Sequence, residues 1–125
     1  MSTYGTPDWA VAGTNNPHPV TLYNPNAPTT AAFGAFMKAV PTRYSATFVP
    51  AGSTTALPRV RHFEIWNEPN LSGFLRPPGW DDESLTADQL TQARLDVYAA
   101  MDEAGYAGVK QADPEATVSA GVSSR

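Results

Sequence analysis

The chain contains no cysteine among its 125 residues, so it forms neither disulfide bonds nor thiolate metal sites. Charge is also scarce, because only 16% of the residues are charged, against roughly 25% in an average soluble domain. Eight basic and twelve acidic residues give a net charge of −4, which provides neither a basic face for nucleic acid nor a polybasic patch for a membrane. No apolar run reaches the roughly 20 residues of a membrane span.

The first residues do not indicate where in or outside the cell the protein is found. Residues 1–5 lack the basic and apolar regions that a signal peptide needs. The location is therefore left open, and secretion of a longer parent protein is compatible with this sequence.

Proline and glycine are abundant instead. The twelve prolines and nine glycines cluster in three stretches that we interpret as long loops, at residues 5–28, 50–58 and 69–79. The first stretch carries Trp9, Leu22 and Tyr23, which are not typical of a flexible linker. Long ordered loops in compact domains are frequently binding loops, and we predict this role here.

Helical and extended patterns alternate along the chain. Apolar residues at helical spacing from Phe33 to Tyr44 predict a helix that ends or kinks near Val40, because Pro41 would cost about 3 kcal/mol inside a helix. A period of two predicts a strand over residues 60–66, and residues 116–122 are predicted as a further strand.

The best-specified element lies between those two strands. Thr86-Ala87-Asp88-Gln89 has the form of a capping box, in which Thr86 caps a helix and Gln89 stands at its third position. Asp113-Pro114 predicts the turn that follows the helix. Alternation of strands with helices indicates an α/β fold in which helical crossovers join parallel strands.

One segment also resembles a known family. Residues 63–70, Phe-Glu-Ile-Trp-Asn-Glu-Pro-Asn, resemble the strand-four signature of clan A glycoside hydrolases, including the cellulase-like family five and the xylosidase-like family thirty-nine. Residues 4–10 resemble the end of strand three of these enzymes, and residues 109–118 resemble helix four running into strand five. The resemblance implies that residues 1–125 are part of a (β/α)8 TIM barrel, covering roughly strands 3 to 5 with their helices.

The resemblance also implies a mechanism. Retaining glycosidases use two carboxyl groups about 5–5.5 Å apart, one as nucleophile and the other as acid and then base. Glu68 matches the acid/base residue, and Asn67 matches the residue that hydrogen-bonds the sugar 2-hydroxyl. The family's nucleophile follows strand seven, for which this chain has no counterpart. We therefore expect the parent protein to hydrolyse a β-linked oligo- or polysaccharide without a cofactor, and the isolated chain to be inactive.

Aromatic residues are the remaining candidates for substrate contact. Trp66 and Trp9 are predicted to stack on sugar rings, and Tyr4 is predicted to lie at the rim of the site. The spacing of His18 and His62 relative to the carboxylates does not match a metal site.

Two alternatives to an enzyme remain. One is a non-catalytic carbohydrate-binding protein or pseudo-enzyme, in which Glu68 is only a sugar ligand. The other is a purely structural piece. Because a half-barrel exposes sheet edges, we also predict self-association through those edges.

Overall fold

A computed structural model describes residues 5–11 and 26–123 of the chain. Tyr4 and His18, which were considered above, lie outside the described residues. The regular elements, in chain order, are a 3-10 turn at Asp8–Ala10, helix α1 at Thr30–Arg43, strand β1 at His62–Ile65, helix α2 at Ala87–Ala112 and strand β2 at Thr117–Ala120.

Helix α1 begins where the sequence predicts but runs past its proline. The Thr29 hydroxyl accepts a hydrogen bond from the Ala32 amide at 3.2 Å, which caps the first turn. Of the two predicted alternatives, an end near Val40 is wrong, because the helix continues through Pro41 to Arg43, and a kink there stays a prediction. Val40 and Pro41 are both buried. We attribute the extra turn to this burial, which offsets the one backbone hydrogen bond that proline cannot make.

Helix α2 has the predicted capping box. The Gln89 amide donates to the Thr86 hydroxyl, and the Gln89 side chain accepts from the Thr86 amide at 2.8 Å. The helix also passes through Gly105 and Gly108, although each glycine weakens a helix by about 1 kcal/mol. A Cβ atom at Gly105 would lie 2.7 Å from the Ile65 Cδ1 atom, so this glycine allows α2 to approach β1 closely.

The sheet has two parallel strands. His62 pairs with Thr117 and Ile65 pairs with Ala120, with α2 as the connection between the strands. Phe63 and Ile65 are buried, and α1 packs chiefly against α2. The core contains the following buried residues from both helices, from β1 and from the residue before β2: Phe33, Met37, Phe63, Ile65, Met101, Val109 and Ala116.

The predicted partial (β/α)8 barrel, with strands 3 to 5, is therefore wrong. Residues 5–11 contain a 3-10 turn and one isolated bridge, between Val11 and Pro28, where the prediction had the end of a strand. Pro7 and Pro28 cannot donate to a strand ladder, which disfavours a regular strand there. The fold of the described residues is one β1–α2–β2 unit with α1 packed on α2.

Two further expectations concern surfaces. In the described part of the chain each strand has one neighbour, so both outer edges of the sheet lack a strand partner. Self-association through these edges stays a prediction. Within residues 5–11 and 26–123, no helix is long and apolar enough to cross a bilayer.

Candidate functional site at the carboxyl end of the sheet

The chain turns sharply as it leaves β1. Trp66 and Glu68 both have left-handed backbone conformations, with φ of 68° and 46°, and Asn67 lies between them. A non-glycine residue in this region costs about 1–2 kcal/mol. Such conformations persist where the surroundings hold them, and they are frequent at functional sites.

The Trp66 side chain anchors the turn from inside. Its indole is 2% exposed, and its Nε1–H donates to the Phe74 carbonyl oxygen at 3.0 Å. The ring also makes an edge contact with Phe33, with a distance of 5.9 Å between ring centroids. Trp66 thus fixes the start of the turn to the core, and its predicted contact with substrate stays a prediction.

Two glutamates join the turn to Val122, which follows β2: Glu68 does so through its backbone amide and Glu64 through its side chain. The Glu68 amide donates to the Val122 carbonyl oxygen at 2.9 Å. The Glu64 Oε1 atom accepts from the Val122 amide, also at 2.9 Å. The Glu64 carboxylate is therefore engaged. In contrast, the half-buried Glu68 side chain makes no hydrogen bond or ion pair to any residue that the structure describes.

Tyr98 on α2 joins the two strands where their regular pairing stops. Its hydroxyl donates to the Ile65 carbonyl oxygen at 3.1 Å and accepts from the Gly121 amide at 2.6 Å. Burial raises the pKa of the Tyr98 hydroxyl above its ordinary value of about 10. The hydroxyl is therefore protonated at neutral pH and keeps its donor.

Helix α2 also holds the loop that follows the turn. The Arg94 guanidinium donates to the Leu75 carbonyl oxygen at 3.1 Å and to the Asn70 carbonyl oxygen at 3.2 Å. Arg94 and Tyr98 are four residues apart and so lie on the same face of the helix. One face of α2 thus organises both the ends of the strands and the loop.

An apolar cavity of about 260 Å³ lies beside this region. Trp9, Trp66, Phe33 and Phe36 contribute aromatic walls, and Trp9 is 82% exposed. Asn67 and Glu68 do not line the cavity. The structure thus brings Trp9 and Trp66, the two predicted aromatic contacts, to one cavity. Asn67 and Glu68 directly follow Trp66 in the sequence but do not form part of the cavity wall.

The sequence interpretation missed three residues of this region, namely Glu64, Tyr98 and Gly121. Tyr98 follows Arg94 by one helical turn, next to the apolar stripe that contains Val97. A tyrosine in that position indicates a buried ring whose hydroxyl needs a partner, and this signal was available. Nothing in the sequence pattern predicts which backbone groups the hydroxyl binds.

Within the described ranges, no group of three or more histidine, aspartate or glutamate side chains is arranged to hold a metal ion. No protein-family model, curated protein or solved structure matches the chain.

Proposed function

We propose that Glu68 is the acid/base carboxylate of a retaining glycoside hydrolase that acts on a β-linked oligo- or polysaccharide. The observation that carries the proposal is the strained turn at the carboxyl end of β1, where two left-handed residues flank Asn67. Backbone strain of this kind supports a functional role, since such residues cluster at active sites; Ala46 has a similar φ of 66°, but Trp66 and Glu68 are the pair that falls within one motif. The resemblance of residues 63–70 to the Asn-Glu-Pro signature supplies the chemistry.

The proposed roles follow from the side chains. Glu68 acts first as a general acid that protonates the departing sugar oxygen, and then as a general base that removes a proton from the attacking water. A carboxyl group without a partner among the described residues has room to contact a substrate oxygen. Asn67 offers both a donor and an acceptor to the sugar 2-hydroxyl. Exposed Trp9 offers a flat apolar face on which a sugar ring stacks.

A retaining reaction also needs a nucleophilic carboxylate, about 5–5.5 Å from the acid/base residue. We assign no residue to that role. The nearest glutamate in sequence, Glu64, already binds the Val122 amide. We accordingly expect the 125-residue chain, by itself, not to turn over an aryl β-glycoside.

Affinity labelling tests the proposal without requiring turnover. N-bromoacetyl-β-glucosylamine and its xylose analogue place an alkylating carbon where the glycosidic oxygen of a substrate would lie. The Glu68 carboxylate displaces bromide and forms an ester, which adds a fixed mass to the peptide that contains residue 68. We expect saturable labelling that excess free sugar suppresses. We also expect that Glu68→Gln is not labelled at this peptide and that the exposed control, Glu103→Gln, is still labelled at Glu68.

A carbohydrate-binding protein without catalysis is the second candidate, and the exposure of Trp9 favours it. In that case Trp9→Ala and Glu68→Gln both weaken sugar binding, because Glu68 is then only a sugar ligand, and labelling does not concentrate at Glu68. The acid/base proposal requires the Glu68 peptide to react faster than those of other exposed carboxylates, such as Glu103.

A further inference from the structure

The hydrogen bonds between β1 and β2 have a regular repeat that breaks at one place. At the start of the sheet, the Thr117 amide donates to the Arg61 carbonyl oxygen at 2.7 Å. In a parallel ladder this pattern repeats every two residues. In the given register, the rung after the last strand pair is therefore the Gly121 amide to the Ile65 carbonyl oxygen.

The Tyr98 hydroxyl occupies that rung. It accepts from the Gly121 amide and donates to the Ile65 carbonyl oxygen, so both backbone groups are satisfied through one side-chain oxygen. The two strands still lie very close, because a Cβ atom at Gly121 would be 2.7 Å from the Ile65 oxygen and 3.1 Å from the Trp66 oxygen. The Tyr98 hydroxyl therefore replaces the direct hydrogen bond between the Gly121 amide and the Ile65 carbonyl oxygen, although the two strand ends remain in contact.

The next contact along the strands is the one that holds Glu68. The Val122 residue follows Gly121, and its carbonyl oxygen accepts the Glu68 amide. Glu64 fixes the other side of Val122 through the amide. The position of the Glu68 backbone is thus set by Val122, and the position of Val122 is set by Glu64 on one side and by Tyr98, through Gly121, on the other.

We propose that Tyr98 is a positioning residue for Glu68, which acts by holding open the last rung between Ile65 and Gly121. This inference rests on the proposed function, because the position of Glu68 matters for catalysis only if Glu68 is the acid/base residue. Tyr98 does not touch substrate in this account. Its contribution reaches Glu68 through Gly121 and Val122.

The substitution Tyr98→Phe tests the inference, because it removes the hydroxyl and keeps the ring. Tyr106→Phe is the matched control, since Tyr106 lies on the same helix and is exposed. With N-bromoacetyl-β-glucosylamine, we expect Tyr98→Phe to lower the labelling rate of Glu68 at saturation about tenfold, the rate equivalent of about one hydrogen bond. The half-saturating concentration should change by less than about twofold. A general loss of structure would change both quantities.

Amide hydrogen exchange provides a readout that does not depend on sugar. Tyr98→Phe should speed exchange at the Glu68 and Val122 amides about tenfold or more, with the amides of the middle of α2 unchanged. If Tyr98→Phe is too unstable to examine, 3-fluorotyrosine at position 98 replaces it. Its oxygen is a weaker acceptor for the Gly121 amide, so a smaller increase is expected.

The outcomes separate the two proposals. Unchanged exchange at Glu68 in Tyr98→Phe, or an equal effect in Tyr106→Phe, overturns the positioning role. Absence of labelling at Glu68 in the unsubstituted chain overturns the acid/base function, and amide exchange by itself then decides whether the Tyr98 hydroxyl fixes residue 68.

Discussion

The two ends of the small sheet are built differently. At the amino end, the strands are joined by a backbone hydrogen bond, from the Thr117 amide to the Arg61 carbonyl oxygen. An ion pair between Arg59 and Asp113 closes this end on the surface, with a distance of 2.9 Å from Nη2 to Oδ2. At the carboxyl end, side chains replace the backbone rung, and the hydroxyl of Tyr98 is the central one.

The difference indicates which end is specialised. A backbone rung and an ion pair at the surface are ordinary ways to end a sheet, and surface ion pairs contribute little to stability. The carboxyl end restricts its sequence more, because it combines an inserted tyrosine hydroxyl with two left-handed residues. It also has a glycine at position 121, where a Cβ atom would collide with backbone oxygens. The carboxyl end is also the end at which Glu68, the proposed acid/base residue, lies.

The largest effect is expected at Gly121. The substitution Gly121→Ala places a methyl group against two backbone oxygens that cannot easily move, so we expect a loss of about 2–3 kcal/mol in the free energy of unfolding. Gly73→Ala is the control, because a Cβ atom there has no neighbour within 4 Å. Urea denaturation measures both. Equal losses in the two variants would contradict the close approach of the strands at Gly121.

A medium effect is expected at the start of α2, the helix that carries Tyr98. Thr86→Ala removes the cap from the Gln89 amide and should cost about 1 kcal/mol. The control is Thr91→Ala, because the exposed Thr91 hydroxyl only donates back to the Ala87 carbonyl oxygen inside the helix. Thermal unfolding of both variants compares them, and a Thr91→Ala variant as unstable as Thr86→Ala would argue against the capping box.

A smaller effect is expected at the amino end of the sheet. Hydrogen bonding from the Arg59 guanidinium lowers the pKa of Asp113 below its ordinary value of about 3.9. The ionised form is thus favoured in the folded state. The stabilisation is present above the unfolded pKa and is lost as pH falls through the lower folded pKa. We expect Arg59→Gln to be slightly less stable than the unsubstituted protein at pH 6.

The difference in stability between the unsubstituted protein and Arg59→Gln should begin to shrink as the pH falls below about 4, the ordinary pKa of aspartate, and should vanish once the pH is below the lowered folded pKa of Asp113. Thermal midpoints measured between pH 2 and pH 7 provide the check, with Lys38→Gln as the control for loss of one exposed positive charge. A difference in thermal midpoint that widens in acid would contradict stabilisation of the ionised Asp113 by Arg59.

The smallest effect concerns association. Each strand has one open edge in the described part of the chain, but each is only four residues long. We expect weak dimers or larger species that dissociate on dilution, as measured by light scattering over a wide concentration range. A monodisperse monomer at every concentration would contradict self-association through the edges.

The fold was predictable where local signals agreed with packing. The capping box at Thr86 and the alternation around Phe63 each specify an element without long-range information. The end of α1 was not predictable, because the burial of Pro41 depends on the helix that packs against it. The barrel prediction failed because a family resemblance was extended to residues 4–10, whose described part forms a 3-10 turn.

The candidate site was predictable only as a stretch of sequence. The motif points to residues 66–68, whose function stays a prediction, and the structure adds that two of them are left-handed. Sequence periodicity does not contain that information, because non-glycine residues rarely adopt this conformation. The role of Tyr98 was equally hidden, since its two partners lie 33 and 23 residues away along the chain.

The central claim is that the Glu68 carboxylate meets the oxygen next to the anomeric carbon of a bound sugar. Peptide mapping after reaction with N-bromoacetyl-β-glucosylamine and its xylose analogue tests it most directly. We expect one ester, located at Glu68, whose formation saturates with reagent and does not occur in Glu68→Gln. Labelling spread over exposed carboxylates at similar rates, or labelling that persists in Glu68→Gln, would contradict it.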